Sequence, residues 1–324
     1  MPRYFRNAAI LAKVETTYGV SAAPTGAANA LLISNLNITY QSENVARDLV
    51  VPFIGGFEQL VGRTFLEISF SVELASSGAA GTAPPWGALL RACGYAETVT
   101  AAKRVEYNPV TPASDSVTIS YFMDGIRYNA LGARGNAVFK MSLSQRPVIE
   151  FRFIGMDEGA TAMATPGLTL TAWKKPLVVN AVNSGSVTLG CTYAADPVAI
   201  SGGTAYASQG LEMDLGNVVN MVPLLGSNAD AVDVVNREVT GKLALDLTAA
   251  QEVTLTGNFK NVTTQSLGLI HGTAAGGKVL VFMPNVQLLN PSLVDYNGRM
   301  LVGYDLRAIP NQSTGNDEFK IVAY

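Results

Sequence analysis

Between Thr64 and Leu74 every second residue is apolar, with Leu66, Ile68, Phe70, Val72 and Leu74 alternating with Glu67, Ser69, Ser71 and Glu73. A period of two predicts a β-strand with one face in a core and the other in water. The pattern returns with Val239, Leu243, Leu245 and Leu247 on one face and Glu238, Thr240, Lys242 and Asp246 on the other. Leu36, Ile38 and Tyr40 precede the first of these strands, and Leu211, Met213 and Leu215 precede the second at a similar distance. Each long strand leads into a helix start: Pro84-Pro85-Trp86 in one case, the capping-box sequence Thr248-Ala249-Ala250-Gln251 in the other. Each half then closes on an apolar, acid, apolar, Arg, apolar run, at Ile149–Phe153 and at Tyr304–Ala308. A shared order of elements predicts an internal duplication, with domains over residues 1–160 and 161–324. The Gly, Ala, Thr and Pro stretch from Met156 to Leu170 is the expected boundary.

Other elements follow from local signals. Trp86, Leu89, Leu90 and Cys93 share one helical face, and Gly94 stops that helix. Asp124-Gly125 predicts a two-residue hairpin between Val117–Tyr121 and Ile126–Tyr128, a feature expected to have no full counterpart in the second half. A further hairpin joins Ala137–Leu143 to Val148–Ile154, and Asn297-Gly298 marks a final turn. The small, aperiodic residues from Gly19 to Ala30 suit an extended arm. The long connection Gln41–Arg63 carries Val50, Val51, Phe53, Ile54, Phe57 and Leu60, too apolar for a solvated linker, so it is expected to fold back or to dock on a neighbour.

Composition narrows the function. A net charge of -3 and a charged fraction of 15% leave no basic field for gripping phosphates. Although 48% of residues are hydrophobic, the apolar runs are short, and no membrane span is expected. The N-terminal sequence Met1–Asn7 is a poor secretory signal, and Cys93 and Cys191, one in each half, read as buried free thiols.

Chemistry is sought without success. Gly272-Thr273-Ala274-Ala275-Gly276-Gly277-Lys278 resembles a phosphate-binding loop, but Val279 stands where Ser or Thr is needed, and a strand follows instead of a helix. A hairpin loop is the better reading. His271 is the only histidine, so a multi-histidine metal site is impossible, and its place at the end of a short apolar strand suits a structural role. Glu67, Glu73 and Asp246 lie among Ser and Thr on a strand face without aromatic platforms, which suits a solvated surface better than a glycosidase cleft. No enzyme activity and no cofactor are expected.

Ile10–Gly19, Ile33–Thr39 and the run from Val72–Leu74 to Pro84–Gly94 resemble the tail tube (major tail) proteins of long-tailed, non-contractile bacteriophages. The likeness is closest over residues 8 to 96; Gly210–Asn217 and Met283–Val286 resemble the family less specifically. The resemblance implies a β-sandwich flanked by a helix, with protomers joined edge to edge in a ring; the chain departs from the family's common single-domain pattern, because the duplication makes it a mainly β chain of two tandem tail-tube-type β-sandwich domains, each with a flanking short α-helix, their sheets joined between subunits into a β-barrel tube. It implies a virion protein assembled in the host bacterial cytoplasm, whose stacked rings conduct double-stranded DNA without binding it specifically. Its implied partners are itself and the tail terminator, tail tip and tape measure proteins. Two tube domains per chain give a trimeric ring with pseudo-sixfold symmetry; one tube domain plus an outward accessory domain gives a hexamer. On this reading Glu67, Ser69, Ser71, Glu73, Glu238, Thr240, Lys242 and Asp246 face the lumen, mostly as small or acidic groups that repel phosphates, with Lys242 the exception. Arg47, Asp48, Val50, Phe53 and Phe57, together with the N-terminal arm, are the expected ring-to-ring contacts. The competing reading is a surface or adhesive β-sandwich, or a capsid decoration protein.

Overall fold

A computed structural model of the protein describes residues 4, 7–113, 115–226 and 230–324. Its first half forms β1 (Ala8–Val14), β2 (Ile33–Val45), β3 (Leu60–Glu73), α1 (Gly87–Arg91), β4 (Tyr95–Thr100), β5 (Arg104–Pro109), β6 (Val117–Met123), β7 (Ile126–Ser142) and β8 (Val148–Ala162). The second forms β9 (Val187–Leu189), β10 (Thr192–Ala195), β11 (Val198–Ser201), β12 (Thr204–Asp214), β13 (Asn217–Val222), β14 (Ala231–Arg237), β15 (Thr240–Asp246), α2 (Ala249–Lys260), β16 (Gln265–His271), β17 (Val279–Tyr296), β18 (Arg299–Ala308) and β19 (Lys320–Ala323).

The strands predicted from alternation are β3 and β15, and their neighbours repeat as well. One sheet of 15 strands contains the path β2-β3-β8-β7-β12-β15-β18-β17, in which every adjacent pair is antiparallel. The second half of this path has the order of the first, with β12, β15, β18 and β17 standing where β2, β3, β8 and β7 stand. The hairpin β6–β7 is matched by β16–β17, and β1 lies on β6 as β9 lies on β16. Even an irregularity recurs: β2 bulges between Ser34 and Asn37 against β3, and β12 between Ser208 and Leu211 against β15.

Two expectations need correction. The hairpin around Asp124-Gly125 does have a counterpart, because β16–β17 occupies its place with the loop of residues 272–278 as its turn. Two tight-turn residues and a seven-residue glycine-rich loop share no sequence signal, which hid the equivalence. The stretch expected to part the halves begins inside a strand, since residues up to Ala162 in β8 still pair with β7 as far as Ile126. Its small residues fit a ladder because backbone hydrogen bonds, not side chains, hold that end.

Burial explains the unequal helices. In α1 and its flanks Trp86, Leu89, Leu90 and Cys93 are all completely buried, Trp86 Nε1 donates to Ala75 O at 2.8 Å, and Tyr107 packs on the indole at 5.2 Å between ring centroids. Gly94, at a φ of +80°, ends the turn as expected. Tyr107 belongs to the ribbon β4–β5, an insertion of the first half that pairs with β19 of the second. In α2, by contrast, only Leu255 is buried. That helix relies on its ends instead, with the Thr248–Gln251 capping box formed. Truncating Trp86→Ala should therefore lower unfolding stability by ~3–5 kcal/mol, against ~1 kcal/mol for Thr248→Ala, as read from chemical denaturation.

Candidate assembly face and strand edges

The polar faces of β3 and β15 turn out to be one surface. Following the register from Glu67, Ser69, Ser71 and Glu73 across each ladder leads to Glu150 and Arg152 on β8, Asn136 and Lys140 on β7, and Glu212 and Asp214 on β12. The same face continues through Thr240, Lys242 and Asp246 on β15 to Asp305 and Arg307 on β18. Glu238 lies just ahead of β15 and completes it. The sequence located the acids but not the cations that pair with them, which stand on neighbouring strands or, for Arg146, in the turn between β7 and β8. Arg152 meets Glu67 at 3.0 Å, Arg146 meets Glu73 at 3.1 Å, Arg299 meets Asp246 at 2.5 Å, and Arg307 meets Glu238 at 3.0 Å. Lys140 meets Glu150 at 2.7 Å, and that hydrogen bond raises the lysine's pKa above its ordinary value. Lys242 stands opposite Glu212 on one side and Asp305 on the other. The expected row of acids is thus a lattice of alternating sign, and Ser71 is buried, with Ser34 and Glu150 as its cross-strand neighbours. Most of these pairs are solvated, so each contributes at most ~1 kcal/mol to stability.

The two halves join where β12 pairs with β7, from Gly210 opposite Ser142 to Asp214 opposite Val138. Gly210 has a φ of +113°, and a Cβ there would lie 1.9 Å from Met141 O, so only glycine permits this approach. Beyond the ladder, Asn136 Nδ2 donates to Asp214 Oδ1 at 2.6 Å, and Asn217 Nδ2 donates to Cys93 O at 2.7 Å and Gly135 O at 3.0 Å. The hairpin β13–β14 packs against β7 and β8, where Arg134 donates to Val232 O at 2.7 Å and meets Asp233 at 2.8 Å. Gly210–Asn217 stood out in the sequence only as a loose resemblance, because the role of each residue here becomes meaningful only beside a strand from the other half.

The long connection keeps the strand pair going. β2 and β3 stay paired out to Val45 opposite Leu60, whereas β8 leaves β3 at Phe65. A two-stranded ribbon therefore extends past the end of the sheet, carrying residues 46–59 at its tip. Arg47 pairs with Glu58 across that tip, Asp48 is exposed, Val50 and Ile54 are fully exposed, Phe53 is 65% exposed and Phe57 half-buried. The tip residues Val50, Phe53 and Ile54 are thus not folded back on the chain, whereas Arg63 at the base of the ribbon meets Asp230 at 2.8 Å. The N-terminal arm, by contrast, is held by its own chain: Ala22 N donates to Thr118 Oγ1 at 3.0 Å, Thr169 N to Gly26 O at 2.9 Å, and Trp173 Nε1 to Ala30 O at 2.9 Å.

His271 ends β16, as expected, and its Nδ1 lies 2.8 Å from Ser184 Oγ on the connector between the halves. Among the described residues no group of three His, Cys, Asp or Glu could hold a metal ion, and no helix is long and apolar enough to cross a membrane. The loop before Val279 is a hairpin turn whose Gly276 O accepts from Gly78 N at 2.9 Å. Both cysteines are buried and free.

Burial pushes the His271 pKa below its ordinary value, opposed in part by the Leu177 backbone. An unfolded histidine takes up its proton near pH ~6.5, whereas the folded one stays neutral to lower pH. The stability this contributes is complete above ~6.5 and is lost as pH falls toward the folded pKa. As this is the only histidine, His271→Asn should flatten that part of the stability–pH curve, measured by denaturant titration between pH ~5 and ~7.5.

No curated protein matches the sequence. A family model described as phage tail tube protein matches residues 6–315, a span that includes both copies of the strand order, the joint between them and the projecting ribbon. The chain belongs to the phage tail tube protein family.

Proposed function

We propose that the chain is the tube subunit of a long-tailed, non-contractile phage, built as two tandem β-sandwich modules over residues 1–160 and 161–324. Rings of three chains present six modules in pseudo-sixfold array, and stacked rings form the conduit for DNA during genome ejection. The observation that carries this reading is the eight-strand path on which the charged residues of both modules lie on one face of a single sheet. That face, including Glu67, Ser69, Glu73, Glu238, Thr240, Lys242 and Asp246, lines the lumen. Lys140, Arg146, Arg152, Arg299 and Arg307 are each paired with a carboxylate, and Lys242 stands in register between Glu212 and Asp305, so a passing duplex finds little to grip and little counterion release rewards binding. The ribbon tip with Arg47, Asp48, Val50, Phe53 and Phe57 reaches the next ring, which would cover the apolar side chains that the chain itself leaves in water. Tail terminator, tip and tape measure proteins are the expected partners at the tube ends and in its lumen.

Negative-stain microscopy of the purified chain should show hollow tubes; compact particles without a lumen would favour a decoration or adhesive protein. Native mass measurement of isolated rings should give three chains, and six would overturn the pseudo-sixfold arrangement. Deleting Val50–Phe57 should leave rings that no longer stack, visible by the same microscopy as separate annuli, while normal tubes would remove the ribbon from ring stacking.

A further inference from the structure

The connector between the halves is pinned at both ends before it reaches β9. Ser144 N donates to Val179 O at 2.8 Å and Val179 N to Gln145 O at 2.9 Å, which adds the connector to the turn between β7 and β8. Asn180 then fixes its own turn, with Oδ1 accepting from Val182 N at 3.0 Å and Asn183 N at 2.9 Å. Past that turn, Gly185 N donates to Ile270 O and Gly272 N to Asn183 O, each at 2.8 Å, tying the connector to the end of β16.

A segment held at these points leaves space beneath it. Between the connector, the end of β7, the bulge of β12 and the end of β16 lies a cavity of about 180 Å³, whose wall includes Met141, Val179, Leu269, Ser184, Ser208 and His271. Met141, Val179, Leu269 and His271 are each at most 5% exposed. Among the described residues, none that lines the cavity is an acid, a lysine or an arginine. His271 is the one lining residue that could carry a charge, and burial holds it towards the neutral form. The ring is only half satisfied. Its Nδ1 lies 2.8 Å from Ser184 Oγ, whereas Nε2 makes no hydrogen bond; the Leu177 backbone acts on the ring without bonding that nitrogen. A buried polar atom left in this way costs stability until something pairs with it.

These features define a ligand. A lining without charge rejects ions, because nothing offsets their desolvation. A cavity of about 150 Å³ already admits a benzene ring, so the space here takes one ring and a small substituent. A hydroxyl both donates and accepts, and therefore suits Nε2 whichever ring nitrogen holds the proton.

We propose that this cavity binds a neutral single-ring molecule carrying one hydroxyl, with the ring against Met141, Val179 and Leu269 and the hydroxyl on His271 Nε2. Such a ligand touches the connector, both strands of the joint and β16 at once, so it favours the state in which the halves are joined. Nothing in this site depends on whether the chain forms a ring or a tube.

Calorimetric titration of the assembled protein with phenol, the smallest molecule of this description, tests the site. The expected result is one saturable site per chain, millimolar or tighter, with a higher midpoint of thermal unfolding when phenol is present. Toluene has the same shape without the hydroxyl and should bind about tenfold more weakly. Val179→Phe places a ring in the cavity and should abolish phenol binding. Absence of a saturable site, or undiminished binding by Val179→Phe, would overturn the proposal. Toluene binding as tightly as phenol, or phenol binding unweakened in His271→Leu, would overturn the pairing with Nε2. If Val179→Phe loses its β-sheet circular dichroism, Leu269→Phe fills the same cavity, with the same outcomes decisive.

Discussion

Everything distinctive about this chain depends on the backbone hydrogen bonds between β7 and β12. That ladder carries the strand path, and with it the charged face, from one half into the other, above a hydrophobic core that extends from Ile10 to Ile321. Strand pairing demands close and continuous backbone approach, which is why Gly210 sits at the joint and why Asn136, Asp214 and Asn217 satisfy the polar groups where the ladder ends. The modules are reinforced from the far side too. The first half lends its β4–β5 ribbon to β19 of the second, and the second lays its β13–β14 hairpin on β7 and β8 of the first.

Electrostatics on the shared face follows from the same pairing. Antiparallel ladders put side chains of neighbouring strands within contact distance, and here opposite charges face each other across several ladders. Because the pairs are solvated, they do little for stability, but they set the character of the surface: acids and bases face each other across the ladders, with Val138, Val148 and Ile154 among them on the same face. Opposite charges suit such a surface better than a uniformly acidic one, since like charges on adjacent strands would destabilise the sheet that carries them.

The exposed apolar residues divide into two groups with different geometry. Tyr40 and Leu293 sit on strand edges, on the core side, where one added strand would bury them. Val50, Phe53 and Ile54 sit at the tip of a ribbon that has left the sheet, where strand addition cannot reach them.

Much of this was legible in the sequence. Period-two alternation located β3 and β15, the order of elements exposed the repeat, Asp124-Gly125 and Asn297-Gly298 fixed two hairpins, and Thr248 with Gln251 placed a helix start, because each of these depends on chemistry within a few residues. The acids of the polar face could be read for the same reason. What remained hidden needed contacts between distant segments: the cations that pair with those acids, the equivalence of β16–β17 to β6–β7 despite unlike turns, and the fusion of both halves through Gly210. A strand's own residues determine which side is wet and which is buried. Which strand lies beside it, and whether an edge is closed within the chain or left open, depends on hydrogen bonds to residues far away in sequence, and only the tertiary structure decides that.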